Sequence, residues 1–128
     1  MKNQPEFELQ KAVCNYLNVK YKDVLFLSDT IASLHLSIPQ RVRNSLIQKR
    51  GFHCPDLLIL KPNRKFSGLF IELKVKSPFK KDGCLLRSEH LANQQRTIDH
   101  LNKIGYFATF SVGFDETKKI IDEYMTFN

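Results

Sequence analysis

Long apolar runs are missing from this chain of 128 residues. Its longest are about strand length, against the roughly 20 residues needed to cross a bilayer, so no membrane span is expected. The first residues, Met1-Lys2-Asn3-Gln4-Pro5-Glu6, hold no apolar core of the signal-peptide kind, and the expected compartment is the cytoplasm. Cysteine is scarce: Cys14, Cys54 and Cys84, none in a C-x-x-C pair. An odd number of thiols with that spacing argues against a disulfide framework, and the adjacent His53-Cys54 lacks the companions a structural zinc needs. Buried free thiols are expected instead. Five prolines and five glycines form no linker or low-complexity segment, and no internal repeat is visible. What remains is one domain, residues 1–128, of ordinary globular composition.

Acidic residues are also in short supply, 13 against 20 Lys and Arg, for a net charge of +7. The imbalance is local. Between Arg41 and Arg87 there are 12 basic residues and 3 acids, a net +9, while the remainder carries −2. Such a band suits a polyanion, although a solvated lysine-rich surface has the same composition.

Periodicity gives an element order. A helix is expected over residues 3–18, with Asn3 and Glu6 as a capping box, Pro5 in the first turn and Leu9, Val13, Tyr16 and Leu17 as its apolar stripe. Val24 to Leu27 reads as a strand, and residues 28–38 are ambiguous. A helix is predicted over 39–50, with Val42, Leu46 and Ile47 turned inward and Gly51 ending it. Strands at 57–61 and 68–75, joined by Pro62-Asn63-Arg64, should pair antiparallel. Residues 76–87 read as a mobile basic loop. Ser88 should cap a helix reaching Ile104, with Leu91, Ile98 and Leu101 inward and Gly105 as its stop. A strand at 106–112 and a helix capped by Asp115 close the chain. The order α-β-α-β-β-α-β-α predicts an α/β fold, a mixed central sheet flanked by helices.

Two short pieces carry the chemistry: Pro55-Asp56, opening the run Asp56-Leu57-Leu58-Ile59-Leu60, and Glu72-Leu73-Lys74 inside Gly68 to Val75. Alternation along a strand puts Glu72 and Lys74 on one face and Leu69, Ile71, Leu73 and Val75 on the other. Charged groups on buried strands are costly unless they bind something, and a divalent metal with a phosphate would offset the cost. Asp56 and Glu72 are the candidate ligands for Mg²⁺ or Mn²⁺, which favour oxygen donors. Lys74 could orient water or offset phosphate charge. At 100° per residue, Glu6 falls about 60° from Leu9, on the inward stripe, and Gln94 lies among Leu91, Ile98 and Leu101. Each has a plainer reading, Glu6 as a helix-start carboxylate and Gln94 as a buried amide; Glu-x-Lys also occurs on protected edge strands.

Taken together, these residues resemble the VRR-NUC domain of the PD-(D/E)XK nuclease superfamily. The resemblance runs through Glu6-Phe7-Glu8-Leu9-Gln10, Lys49 to Ile59, Gly68 to Lys74, Gln94 to Tyr106, and the closing Phe110 to Glu116 and Ile120 to Tyr124. His53-Cys54 departs from it, standing where the family has a glycine-rich approach to Pro-Asp. The resemblance implies a restriction-endonuclease-like fold and a deoxyribonuclease dependent on Mg²⁺ or Mn²⁺. Asp56, Glu72 and the Leu73 carbonyl would hold metal and Glu6 would complete the shell. Lys74 and Gln94 would serve water and phosphate. It further implies a homodimer that cuts branched DNA such as four-way (Holliday) junctions in repair, recombination or phage replication, in a bacterial or phage-infected cell. Arg41, Arg43, Lys76, Lys80 and Lys81 are the candidate phosphate contacts. A sequence-preferring restriction-type nuclease, and a DNA-binding module of the same fold without cleavage, are the alternatives.

Overall fold

The computed structural model describes residues 4–28 and 36–127. Its elements are α1 (Gln4–Lys20), β1 (Phe26–Ser28), α2 (Ile38–Ile47), β2 (Leu57–Ile59), β3 (Leu69–Lys74), α3 (Glu89–Lys103), β4 (Phe107–Val112) and α4 (Gly113–Thr126), in the predicted order. The strands form one sheet, β1-β2-β3-β4. β1 pairs antiparallel with β2, β2 antiparallel with β3, and β3 parallel with β4. The sheet is therefore mixed. The parallel pair is made possible by α3, which supplies the crossover between β3 and β4.

The turn between β2 and β3 is held by Asn63, whose side-chain oxygen accepts from the Lys65 and Phe66 N–H groups at 2.9 and 2.8 Å. This Asx-type geometry is what the Pro-Asn-Arg sequence favours. The alternation in β3 then sorts its side chains. Leu69 and Ile71 join Leu57 and Ile59 of β2, Val13 and Leu17 of α1, and Ile121 and Tyr124 of α4 in one apolar cluster. Phe70 packs on the other face with Ile98 and Leu101 of α3 and Ala108 and Phe110 of β4. Each fully buried Leu or Ile of this kind contributes about 1.5–3 kcal/mol.

Several local expectations change. The proposed Asn3 cap lies outside the described residues, as do residues 29–35 of the ambiguous segment. α2 starts at a full capping box on Ser37 and Gln40 and ends at Ile47, with Gln48 as its C-cap. Gly51, at φ +75°, instead turns the loop that follows. Val42, Leu46 and Ile47 do not face inward: they are 52%, 78% and 79% exposed, and α2 has no buried residue. Periodicity marks an apolar stripe but does not say that another element covers it. Residues 76–87 form a narrow hairpin rather than a structureless loop. Phe79 and Leu85 bridge antiparallel, and Lys80 N–H donates to the Cys84 carbonyl at 2.7 Å. The Phe79 ring meets Phe110 edge to face, 5.8 Å between centroids, which fixes the hairpin to β4. Ser88 caps α3 as expected, accepting from Leu91 N–H at 3.3 Å. Asp115 does not cap α4; the helix begins at Gly113, and the Glu116 carboxylate reaches back to the Val112 N–H. None of the three cysteines forms a disulfide, and none is buried: Cys54 and Cys84 are exposed and Cys14 is half-buried, because the first two sit in loops.

α1 and α4 are joined by a polar knot. The Asp122 carboxylate accepts from the Tyr16 and Tyr21 hydroxyls at 2.5 and 2.7 Å and from Lys20 Nζ at 3.2 Å. These donors hold its carboxyl at about 2 against the opposing effect of burial. No helix among the described residues is long and apolar enough to cross a membrane.

Candidate active site

β3 is covered by α3 on the face that carries Glu72 and Lys74. Glu72 is only 7% exposed, and so is Gln94 across from it. The two are linked: Gln94 Nε2 donates to Glu72 Oε1 at 2.6 Å. The other end of the same amide accepts from Lys74 Nζ at 2.8 Å. One glutamine thus bridges the acid and the base of the Glu-x-Lys pair. Lys74 is steadied further by the Phe110 ring, with Nζ 5.7 Å from its centroid. The inward position of Gln94 follows from its place on the Leu91–Ile98–Leu101 stripe.

Asp56 arrives from the strand alongside. Pro55 is buried and Asp56 half-buried at the entrance to β2, and Leu57 pairs with Ile71 in the antiparallel register. That register carries Asp56 next to Glu72. Asp56 Oδ2 accepts from the Leu73 N–H at 2.9 Å, pinning its carboxylate to β3. The same closeness shapes the titration of Glu72. Burial pushes its carboxyl up to about 8, and the Asp56 carboxylate adds to the rise; Lys74 pulls it down without cancelling. Burial and the Asp56 charge thus favour the protonated form of Glu72, and a cation between the two carboxylates would oppose that.

These groups open onto one cavity of about 510 Å³, lined among others by Glu6, Asp56, Glu72, Leu73, Lys74 and Gln94. It lies at the end of the sheet where β3 leaves, so that the first turn of α1 brings Glu6 to its rim. Glu6 is exposed rather than turned into the core. Gln10, one turn on, ties α1 to β1 by donating to Ser28 Oγ. The candidate ligands expected from the sequence are oxygen donors: the Asp56 and Glu72 carboxylates lie side by side, and Leu73 lines the cavity beside them. That chemistry fits Mg²⁺ or Mn²⁺, which keep several waters and need one or two carboxylates. Among the described residues no three His, Cys, Asp or Glu side chains gather as a metal cluster, so Glu6 stands apart from the Asp56–Glu72 pair.

The cavity is also lined by His53 and Cys54, the pair that departs from the resemblance, and it has further walls that sequence reasoning did not single out: His90, Asn44, Gln48 and Phe52. His90 was within reach of it, being four residues before Gln94 and so on the same helical face. Asn44 and Gln48 also stand four apart, and Gln48 Nε2 donates to Asn44 Oδ1 at 3.1 Å. Arg41, Arg43, Lys76, Lys80 and Lys81 are all exposed and none lines the cavity.

No family model matches the sequence, and no curated protein matches it. Among solved structures, a VRR_NUC domain protein superposes on 100% of this chain and 93% of its own with a TM-score of 0.63, at 22% identity. The chain thus has the restriction-endonuclease-like α/β fold of a VRR-NUC domain, as the sequence resemblance implied.

Proposed function

We propose that this protein is a metal-dependent DNA endonuclease. The observation that carries the reading is the convergence, in one cavity, of Asp56, a buried Glu72, Lys74 and a Gln94 that bridges the last two. Such a set has no structural use that an apolar core would not serve better, since burying and crowding carboxylates opposes folding. Asp56 and Glu72, with the Leu73 carbonyl, would hold the ion. Bound there, Mg²⁺ or Mn²⁺ would supply hydroxide at neutral pH and neutralise phosphoryl charge. Lys74 would donate to a phosphoryl oxygen or orient the attacking water. Gln94 holds the Lys74 ammonium toward the cavity while leaving its remaining protons to the substrate. Glu6, at the rim, would bind the ion's outer waters.

The net +9 of residues 41–87 supports a nucleic acid as the substrate, with Arg41, Arg43, Lys76, Lys80 and Lys81 as outlying phosphate contacts. Branched DNA, including four-way junctions, is the proposed form, and a two-fold homodimer would match its symmetry. Incubation with labelled duplex, flap and four-way-junction DNA, in Mn²⁺ or EDTA, tests both levels. We expect metal-dependent cutting, strongest on branched DNA. Lys74→Ala should lower the rate about 10²–10⁴-fold, and Glu72→Ala at least as much. Undiminished cutting by either variant would remove the site assignment. Binding without cutting in every metal would favour the DNA-binding module.

A further inference from the structure

A second cavity, of about 360 Å³, adjoins the first. Its walls come from the loop between α2 and β2 and from the C-terminal half of α3. Lys49, Arg50, Arg96 and His100 stand around it, and no carboxylate among the described residues lines it. Its apolar lining is Phe52, Leu101 and Ile104, of which Phe52 and Ile104 are 41% and 58% exposed. Phe52 lines both cavities. The loop that carries it is tied to α3 beneath: the His53 N–H donates to Thr97 Oγ1 at 3.3 Å, and Thr97 is 5% exposed.

We propose that this second cavity takes an unpaired nucleobase of the DNA strand held in the candidate active site. The inference rests on the nuclease reading and deepens it by narrowing branched DNA to forms with a single-stranded stretch beside the cut, flaps and forks rather than fully paired four-way junctions. A flat apolar ring system at the edge of a cationic rim is the chemistry that holds a base and its flanking phosphates: the base stacks on Phe52, and Lys49, Arg50 and Arg96 take the backbone. Position agrees. Gln94 marks the first cavity and Leu101 the second, about 10 Å apart along α3. At about 3.4 Å per stacked nucleotide, this places the bound base two or three nucleotides from the scissile phosphate. A fully paired duplex could not offer a base face there without unstacking it.

The experiment is a binding titration in EDTA, where nothing is cut, with fluorescein-labelled forked DNA, a duplex ending in two single-stranded arms. One abasic nucleotide is walked along each arm. The parent should lose about tenfold in affinity at one or two adjacent positions of one arm, the scale of one base stacked on an aromatic ring. Phe52→Ala should lose about as much on the intact fork, nothing on a blunt duplex of equal length, and should no longer respond to the walk. Phe52→Tyr, keeping the ring, should restore that response. A walk with no position-dependent loss in the parent overturns the proposal, and so does a Phe52→Ala defect that is equal on fork and blunt duplex. Because the parent is titrated without metal, this result is independent of cutting. A protein that cuts normally yet ignores the walk loses only the base site; one that cuts nothing but responds to the walk loses only the nuclease reading.

Discussion

On one face of β3, Leu69 and Ile71 are fully buried beneath α1 and α4. On the other, Phe70 is followed by Glu72 and Lys74 beneath α3. The first face is apolar and closed at its outer margin by the Asp122 knot, in which every donor points at one carboxylate. The second begins as a core and turns within two residues into a polar chain, Glu72–Gln94–Lys74, in which burial and the Asp56 charge raise the pKa of the acid. The larger apolar cluster lies on one side of a strand six residues long, and the proposed chemistry on the other. Substitutions on the first side should cost folding, and those on the second should cost activity while leaving folding intact or improved.

The sharpest break of that contrast is Ile71→Ala, which should destabilise the fold by about 2–5 kcal/mol in urea unfolding. If Glu72→Ala cost as much, the two faces would not differ in kind. Glu72→Gln comes next. Its unfolded value is the ordinary 4.5 and its folded value about 8. The stability that its proton confers is complete below pH 4.5 and declines as pH rises toward 8, because the folded state retains the proton that the unfolded state has lost. Without metal, the parent's melting temperature should therefore fall across pH 5–8, and that of Glu72→Gln should fall less. Adding Mn²⁺ at pH 8 should raise the parent's melting temperature and leave Glu72→Gln unmoved. An identical response in both would detach the ion from Glu72.

The Asp122 knot behaves with the opposite sign. Its carboxyl is held at about 2 against an ordinary 3.8, so its stabilisation is present above pH 4 and is lost as pH falls toward 2. Asp122→Asn should melt lower than the parent at pH 7, by about 1–3 kcal/mol, and the two should converge near pH 2. The smallest effect belongs to α2. Leu46→Glu, at a position 78% exposed, should move stability by no more than about 0.5 kcal/mol. A larger loss would mean that something covers this stripe in solution, and sedimentation would identify a second copy.

Much of this contrast could be read in advance. Alternation along residues 69–74 separates the two faces, and helical spacing brings Gln94 inward; both are consequences of local geometry. The loop turn at Asn63 and the Ser88 cap are equally local. What could not be read depends on elements meeting. The Tyr16–Asp122 contact joins residues 106 apart. The exposure of Val42, Leu46 and Ile47 reflects the lack of a covering element among the described residues, which amphipathicity does not report. The hairpin at 76–87 is set by Phe79 finding Phe110. The second cavity exists because the Phe52 loop is anchored on Thr97, a contact that neither segment signals alone.

The Gln94 amide has its carbonyl end committed to an ammonium and its amino end to an acid. The polarity of that link is consequently fixed at its ammonium end, where turning the group end for end would set donor against donor. Glutamate there would crowd a third carboxyl beside Asp56 and Glu72, and lysine would repel the base. The position thus accepts only a neutral group with two unlike ends and this reach, a narrower demand than burial or size alone would impose.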